Sequence, residues 1–480
     1  MTNSTSSWET IIGLEIHIQL NTLTKAFCDD PARFSTEANT QTGYVSLAHP
    51  GTLPLPNGKQ VESAVRLGLA LDCTINTHSW FERKQYFYPD LPKGYQISQQ
   101  ASPVCLGGRM DLETSQGSKT IRIHHIHMEE DAGKSVHDTD PVWSRIDLNR
   151  AGVPLLEMVT EPDFRTAEEV TVFLTDLQRL VRYLDISDAN MEEGSMRCDV
   201  NVSVRPSGSE EYRERCEVKN INSRRFARKA IEFESARQIA LWEAGQAVVR
   251  QTMQFVPEEG VTVPIRQKES AHDYRYFPDP DLPPIKISQA QLDTWRNSIP
   301  TLPSEYLRLF TREKNLSLAD AQVLAEDPEV ARYYVELVQE EPALNKSAAN
   351  WLIQTMLPWL REQNKKIGEL PFGVKSLGFL LSQVRLGVLN LQQAQEVWIQ
   401  ITTSSQASLE DLVKEKLDAA RQFDIPGVVE DLFSSFPVEA DEFKKGKKKL
   451  LGFFLGEIKK KFPGIPVKEV QEALNRYLAG

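Results

Sequence analysis

The chain lacks a long apolar run. No hydrophobic stretch approaches the roughly 20 residues that cross a bilayer, so no membrane span is expected. It also lacks paired cysteines. Cys28, Cys73, Cys105, Cys198 and Cys216 are scattered and odd in number, with no C-x-x-C pair. That disfavours a disulfide framework and fits reduced thiols in the cytoplasm. Met1 to Thr10 has no basic or apolar stretch, so neither a signal nor a transit peptide is expected. Familiar site signatures are missing too. Ala132-Gly-Lys-Ser135 suggests a phosphate loop, but Met128 stands where that loop needs a glycine, and no apolar strand leads into it. No Rossmann glycine turn follows a strand, and no G-x-S-x-G elbow occurs. Cys28 has no Cys or His partner at zinc-ligand spacing.

What is present is an acidic chain of 480 residues, longer than one core usually holds, so two or three domains are expected. The net charge of −12 argues against wholesale coating of nucleic acid, yet the charge is uneven. Residues 441–480 carry ten basic and five acidic side chains, a local +5 that leaves −17 for the rest. An acidic body with a basic tail suits a protein that touches RNA at one end.

Period-2 alternation marks strands with one buried face. From Ile11 to Leu20, Leu14, Ile16 and Ile18 alternate with Glu15, His17 and Gln19. From Cys198 to Arg205, Cys198, Val200, Val202 and Val204 alternate with Asp199, Asn201, Ser203 and Arg205. Thr166 with Glu169 forms a capping box ahead of an amphipathic stripe of Val170, Phe173, Leu174, Leu177, Val181 and Leu184. A second helix is expected over about 223–243, with Phe226, Ala230, Phe233 and Ile239 inward and Arg224, Arg225, Arg228 and Lys229 near its start. Those cations oppose the helix dipole, which points to an anion nearby, or simply to a solvated face. Pro278 to Pro284 is helix-incompatible and reads as the best domain boundary. Beyond it helices are expected over 307–318, 327–339, 348–362 and 373–384, then a polar linker at 402–408 and a small helical module. The fold class is therefore α+β: a β-rich domain with inserted helices at 1–293, an all-α domain at 294–405 and a basic α-helical tail at 406–480.

The densest chemistry lies in His127-Met-Glu-Glu-Asp-Ala-Gly-Lys134. Clustered carboxylates repel unless a cation sits among them, so a divalent metal site is the functional reading and a solvated acidic turn the plain one. Glu15 and His17 share a strand face. Glu129, Glu130, Asp199 and Glu217 join them if these strands neighbour one another. Carboxylates with one imidazole suit Mg²⁺ or Mn²⁺ better than Zn²⁺, and Mg²⁺ so held usually works with phosphates such as those of ATP. Lys134, Arg150 and the Arg224/Arg225 pair are candidates to neutralise phosphoryl charge. Tyr86 to Gln96, with Tyr88, Asp90 and Lys93 between prolines, is a stiff polar-aromatic loop that lines a passage or merely packs.

These runs resemble the B-subunit family of the aspartyl/glutamyl-tRNA(Asn/Gln) amidotransferases. The matching segments are Ile12 to His17, Tyr86 to Lys93, Tyr95 to Ser98, His127 to Ser135, Asp147 to Arg150, Pro154 to Glu157, Glu192 to Ser195, Arg197 to Asp199, Lys219 to Ser223 and Asp273 to Pro278. The helical remainder is similar more loosely. The resemblance implies a cradle-like first domain that binds ATP and Mg²⁺. It implies phosphorylation of the side-chain carboxylate of Glu-tRNA(Gln) or Asp-tRNA(Asn), followed by amidation with ammonia from an amidase (A) subunit, with a small C subunit at the interface. It implies Glu15, His17, Glu129, Glu130 and Glu217 as metal ligands or their near shell, with Asp199 a further candidate. Glu130, Lys134 and Arg150 are the catalytic candidates. Asp90 and Lys93, with Tyr88, resemble the mouth of an ammonia channel. Many relatives carry a C-x-C…C-x-x-C zinc knuckle; the corresponding positions here are Cys28, Asp30, Gly43 and Ser46, so no structural zinc is expected. Lys444, Lys445, Lys447, Lys448 and Lys449 are candidates for tRNA phosphate contact, or a solvated face. A stand-alone ligase or kinase for a small carboxylate, and a non-catalytic tRNA-binding scaffold, are the competing readings.

Overall fold

Alternating residues in Trp8–Gln19 give that strand one apolar face, and it lies at the centre of a large sheet. The computed structural model describes residues 8–136, 142–219, 221–267, 271–403, 408–421, 424–462, 465 and 467–479. Asn220, and 404–407 of the expected linker, lie outside the described residues. The protein is α+β and divides into two units, Met1–Pro303 and Ser304–Gly480.

The sheet of the first unit has ten strands. Its order runs Val261–Gln267, Gln251–Val256, Cys216–Lys219, Met196–Pro206, Trp8–Gln19, Pro154–Thr160, Gly117–Glu130, Cys105–Leu106, Thr74–Ile75, and Arg109–Thr114 pairs off this path with Gly117–Glu130. The pairings are antiparallel except Cys216–Lys219 with Gln251–Val256. That parallel pair needs a long crossover, and the helix Arg224–Glu243 supplies it. Ile12, Leu14, Ile16, Leu156, Met158, Ile126, Met128, Val200 and Val218 point to one side of the sheet. Three helices, Gly58–Ala70, Ala167–Tyr183 and Arg224–Glu243, contribute to the core on that side.

The helix Ala167–Tyr183 has the expected capping box, and its six expected apolar positions are buried. The crossover helix differs from expectation. Ala227, Ala230 and Ile231 are buried, but the stripe continues with Glu234, Ser235 and Gln238, while Phe233 and Ile239 are half-exposed. The reason is a polar network. Glu234, fully buried, accepts from Arg237 Nη2 at 2.6 Å, Gln238 Nε2 at 2.8 Å and Thr262 Oγ1 at 2.7 Å. The proline-rich 278–284 segment is not where the units part: Phe277–Pro278 and Ile285–Lys286 each pair with strands of the first unit.

In the second unit the helix expected over 307–318 is cut. Pro303–Arg308 runs into a π-helical turn, Leu309–Glu313, and Asn315 at φ 53° ends it before Leu318–Leu324 begins. Asn tolerates that left-handed conformation better than most residues. Asp327 caps Pro328–Glu340. The helix expected over 348–362 forms as Asn345–Trp351 and Leu357–Glu362 joined by a π-helical turn, Leu352–Met356, just ahead of Pro358. Such a turn relieves the clash and lost donor that proline brings to a helix. Leu409–Arg421, the first helix of the expected tail, packs on Val374–Arg385 and Leu391–Thr403. A separate apolar core, including Val429, Phe433, Phe443, Phe454 and Leu474, spans Ile425 to Leu474. Among the described residues no helix is long and apolar enough to cross a membrane.

Burial disfavours the Glu234 carboxylate, but its hydrogen bonds from Arg237, Gln238 and Thr262 outweigh that and lower its pKa. A depressed carboxylate stabilises the fold above its ordinary value of 4.5 and loses that contribution as pH falls through its folded value. Glu234→Ala should therefore cost about 1.5–3 kcal/mol at neutral pH in a denaturant titration, with the deficit shrinking in acid.

A candidate metal centre on the polar face of the sheet

The same alternation that buries one face of the sheet lines the other with ionisable groups. Antiparallel registers put His17 opposite Glu157, and Glu157 opposite His127, with Arg197 on the far side of His17. Glu129 follows His127 by two residues and shares its face. His17 Nε2 lies 3.4 Å from Glu129 Oε1 and 3.2 Å from Glu157 Oε2. One donor atom each from His17, Glu129 and Glu157 lie within 4.8 Å of one another, close enough to hold a metal ion. His127 Nε2 approaches the same two carboxylates, at 3.4 Å from Glu157 and 3.7 Å from Glu129. Glu129 is 2% exposed and His17 24%, so the cluster is open chiefly on the His17 side.

Burial works against charge here, but the carboxylates win. Glu157 and Glu129 raise His17 to about 9 and His127 to about 10. Glu157 in turn is held well below the ordinary carboxylate value despite its burial, chiefly by His127 and His17. Both imidazoles are thereby biased toward the protonated, positively charged form. His125, whose Nε2 is 3.1 Å from His127 Nδ1, goes the other way: burial and the neighbouring His127 and His124 lower it to about 4. The donor chemistry fits a divalent cation, which would replace those protons.

The structure splits the six sequence-predicted ligands into three groups. His17 and Glu129 meet. Glu15, Asp199 and Glu217 lie on the same face but gather around Lys219 and Asn201 instead. Lys219 Nζ is 2.5 Å from Asp199 and 3.4 Å from Glu217, and Asn201 donates to Glu15 at 2.9 Å. Burial opposes the Lys219 charge, but Asp199 and Glu217 raise its pKa. Glu130 points away from Glu129, because neighbours on a strand face opposite sides. It pairs with Lys93 and accepts from Ile97 N at 2.9 Å. That pair borders a small cavity with Phe27, Cys28, Ser46 and Leu91.

The other candidates fall nearby or elsewhere. Asp90 accepts from Gly133 N through its carbonyl at 2.9 Å and from Ser135 through its carboxylate at 3.3 Å, pinning the turn after Asp131. Arg150 donates to the carbonyls of Ala132 and Gly133 at 3.0 and 2.7 Å, so its guanidinium braces the same turn. Lys134 is exposed on a short strand, and Tyr88 is exposed. Arg224 and Arg225 line a different cavity, with Asn190, Glu192 and Phe226. In the second unit, Lys444 lies over the rings of Phe433 and Tyr477, Lys445 and Lys447 pair with Asp441 and Glu442, and Lys448 and Lys449 are exposed. Asp30 accepts from Gly43 N at 2.7 Å and from Ser46 Oγ, and Cys28 Sγ lies 3.5 Å from Ser46 Oγ. One thiol and one engaged carboxylate do not make a tetrahedral zinc set.

Residues 10–293 match the model of the GatB/GatE catalytic domain and residues 332–478 that of the GatB domain. The chain is 44% identical over 479 residues to a protein of Chlorobium phaeobacteroides, covering 98% of this chain and all of the relative. It is 43% identical over 462 residues to one of Myxococcus xanthus, covering 96% of each. It is 42% identical over 490 residues to one of Salinibacter ruber, covering 98% and 96%. Each is named as the B-subunit of an aspartyl/glutamyl-tRNA(Asn/Gln) amidotransferase. The chain belongs to this family. Within the amidotransferase B-subunit fold, Glu157 and His127 are the cluster members that the sequence pattern did not single out as ligands. His127 stands inside the densest acidic run and could have been chosen by its two-residue spacing from Glu129. Glu157 could not, because its Leu155 neighbour on the same face is apolar and the pairing with His17 is set by sheet order.

A divalent cation held by this cluster would have to displace protons from His17 and His127, which the neighbouring carboxylates raise to about 9 and about 10. The imidazolium–carboxylate attraction is full below the ordinary value of 6.5 and is lost as pH rises through those values. Divalent-cation affinity should therefore rise between pH 6 and 9, with proton release on binding. Calorimetry in buffers of different ionisation enthalpy measures that release; a pH-independent affinity would contradict the assignment.

Proposed function

We propose that this chain phosphorylates the side-chain carboxylate of mischarged Glu-tRNA(Gln), Asp-tRNA(Asn) or both with ATP, and then forms the amide with ammonia. The observation that carries this reading is the cluster of His17, Glu129 and Glu157, backed by His127, in a chain of this family. A carboxylate resists ammonia because its leaving group is poor. Its oxygen attacks the γ-phosphorus, ADP leaves, and the acyl phosphate forms; ammonia then adds at the acyl carbon, phosphate leaves and a proton is lost. Mg²⁺, when bound, offsets the repulsion between a phosphoryl group and a carboxylate. His17, Glu129 and Glu157 are the residues that would hold it. Lys134, exposed on its short strand, is a candidate to neutralise phosphoryl charge, and Arg150 braces the turn before it.

Glu130, the last residue of its strand, pairs with Lys93 on the face opposite Glu129. In this reading they close an ammonia passage whose mouth includes Asp90 and Tyr88. No recognisable ammonia-generating motif stands in the sequence, and in this reading an amidase (A) subunit supplies the ammonia and a small C subunit completes a cytoplasmic heterotrimer, as the family resemblance implies. The polar clasp of Asp30, Gly43 and Ser46 closes its loop without structural zinc.

Two experiments test this. Label from γ-³²P-ATP should appear on Glu-tRNA or Asp-tRNA in the reconstituted complex, and His17→Ala should abolish it while the complex still assembles. Label on a free amino acid would favour a stand-alone ligase; no label would favour a scaffold. Deleting residues 406–480, which carry Lys444, Lys445, Lys447, Lys448 and Lys449, should raise KM for aminoacyl-tRNA and flatten its salt dependence. An unchanged KM and salt slope would make that tail a solvated surface.

A further inference from the structure

The small sheet of Phe277–Pro278, Glu82–Gln85 and Tyr95–Ser98 has two unlike faces. On one, Arg83 is bound by Asp279 at 2.8 Å and Asp281 at 2.7 Å, with its guanidinium over the Tyr95 ring. The other carries Lys84 opposite Gln96, whose Nε2 donates to the Glu130 carbonyl at 2.7 Å. This face therefore meets the end of the strand that bears Glu129. Among the described residues Lys84 has no carboxylate partner; its ammonium lies 4.9 Å from the centre of the Tyr274 ring and 5.9 Å from that of Tyr86. Tyr276 extends this wall, with its ring 6.1 Å from that of Tyr274 and no cation over it among the described residues. Burial, and after it the charge of Glu129, raise the phenols of Tyr86 and Tyr276, and Glu157 adds to the second. The wall thus stands beside the carboxylate cluster. Between the tyrosines Arg275 adopts φ 46°, a left-handed conformation that is strained for a residue with a side chain. That turn brings both rings to one wall and leaves Arg275 exposed, with no carboxylate partner among the described residues.

We propose that Tyr274 and Tyr276, with Lys84 and Arg275, hold the unpaired 3′-terminal nucleotides of the aminoacyl-tRNA, the last base stacking on Tyr276. This rests on the proposed function and names the residues that position its RNA substrate. Half-buried rings interleaved with cations make a platform for single-stranded nucleic acid, because every base offers a flat face and every linkage a phosphate. Charge decides which cations are available. Lys93, Arg197 and Lys219 are already paired with carboxylates, whereas Lys84 rests on rings, which hold an ammonium without neutralising it. Lys84 and Arg275 are therefore free to take phosphates of the chain end. The reaction itself sets the distance. The amino acid is esterified to the terminal ribose, so a side-chain carboxylate brought to Glu129 and Glu157 carries the last base to a wall of the same site.

The test uses the reconstituted complex and a tRNA whose terminal base is a fluorescent purine analogue, quenched when it stacks. Quenching should occur with the unaltered complex and with Tyr276→Phe, which keeps the ring, and should be lost with Tyr276→Leu. In Tyr276→Leu the KM for aminoacyl-tRNA should rise about tenfold, the loss of one stacked base, while the KM for ATP stays unchanged. Unchanged quenching in Tyr276→Leu, or an equal rise in the KM for ATP, would overturn the proposal; the second result would give the wall to the adenine of the nucleotide instead. Should Tyr276→Leu fail to fold, Tyr274→Leu, at the end of the turn Ala271–Tyr274, should reduce the quenching in part, and full quenching there overturns the proposal as well. Label from γ-³²P-ATP is followed on the same preparations. Transfer to tRNA without quenching in the unaltered complex sinks this inference alone, and quenching without transfer sinks the proposed function alone.

Discussion

Two carboxylates that share a nearly dry site cannot both keep their charge unless something positive stands between them. Glu129 and Glu157 are that pair, and the placement of the neighbouring polar groups follows from it. His17 is delivered to them by the central strand and His127 by the strand beyond Glu157. Arg197, beside His17, pairs with Asp131 at 2.8 Å, and its positive charge opposes the carboxylates' effect on His17. The sheet can carry this many ionisable groups on one side because its other side is a continuous apolar core.

Asp131 shows how the turn next to the cluster is fixed. It accepts from Arg197 at 2.8 Å, and Arg150 lies 3.6 Å away while bonding the carbonyls just beyond. Asp90 holds the same turn from its own loop. A segment without regular structure is thus tied at several points by charge-assisted bonds, which are stronger than neutral ones. The loop of residues 28–46 follows the same logic. A methyl group at Gly43 would stand 2.3 Å from Asp30 Oδ1, so the carboxylate closes on a position that only glycine leaves open.

Local pattern made a good part of this legible. The alternation of 11–20 and 198–205, the capping box at Thr166 and the inward stripe after it are all present in the fold. What local pattern could not supply was register. Glu15, His17, Asp199 and Glu217 do share one face, but which of them meet depends on the order of strands distant in sequence. Glu129 and Glu130 are the instructive case. The period-2 rule that identified the strands also separates these two neighbours, yet their adjacency in sequence favoured grouping them. In the helix Arg224–Glu243, a buried acid with three donors displaced the expected Phe233 and Ile239 from the core side, a non-local pairing with Thr262 that helical periodicity does not encode.

His124 is a bulge in its strand: Val159 pairs with His125 and Thr160 with Ile123, which leaves one residue extra. It works as a phase adapter: Ile121 and Ile123 are odd-numbered, Ile126 and Met128 even-numbered, and all four are buried in the core. Removing one residue there would leave both half-strands intact as hydrophobic words but out of step with each other. Either the isoleucines or the His127–Glu129 pair would then face the wrong side of the sheet. A change in length here should therefore disturb the strand more than a substitution at exposed His124, because only the former reverses which residues face the core.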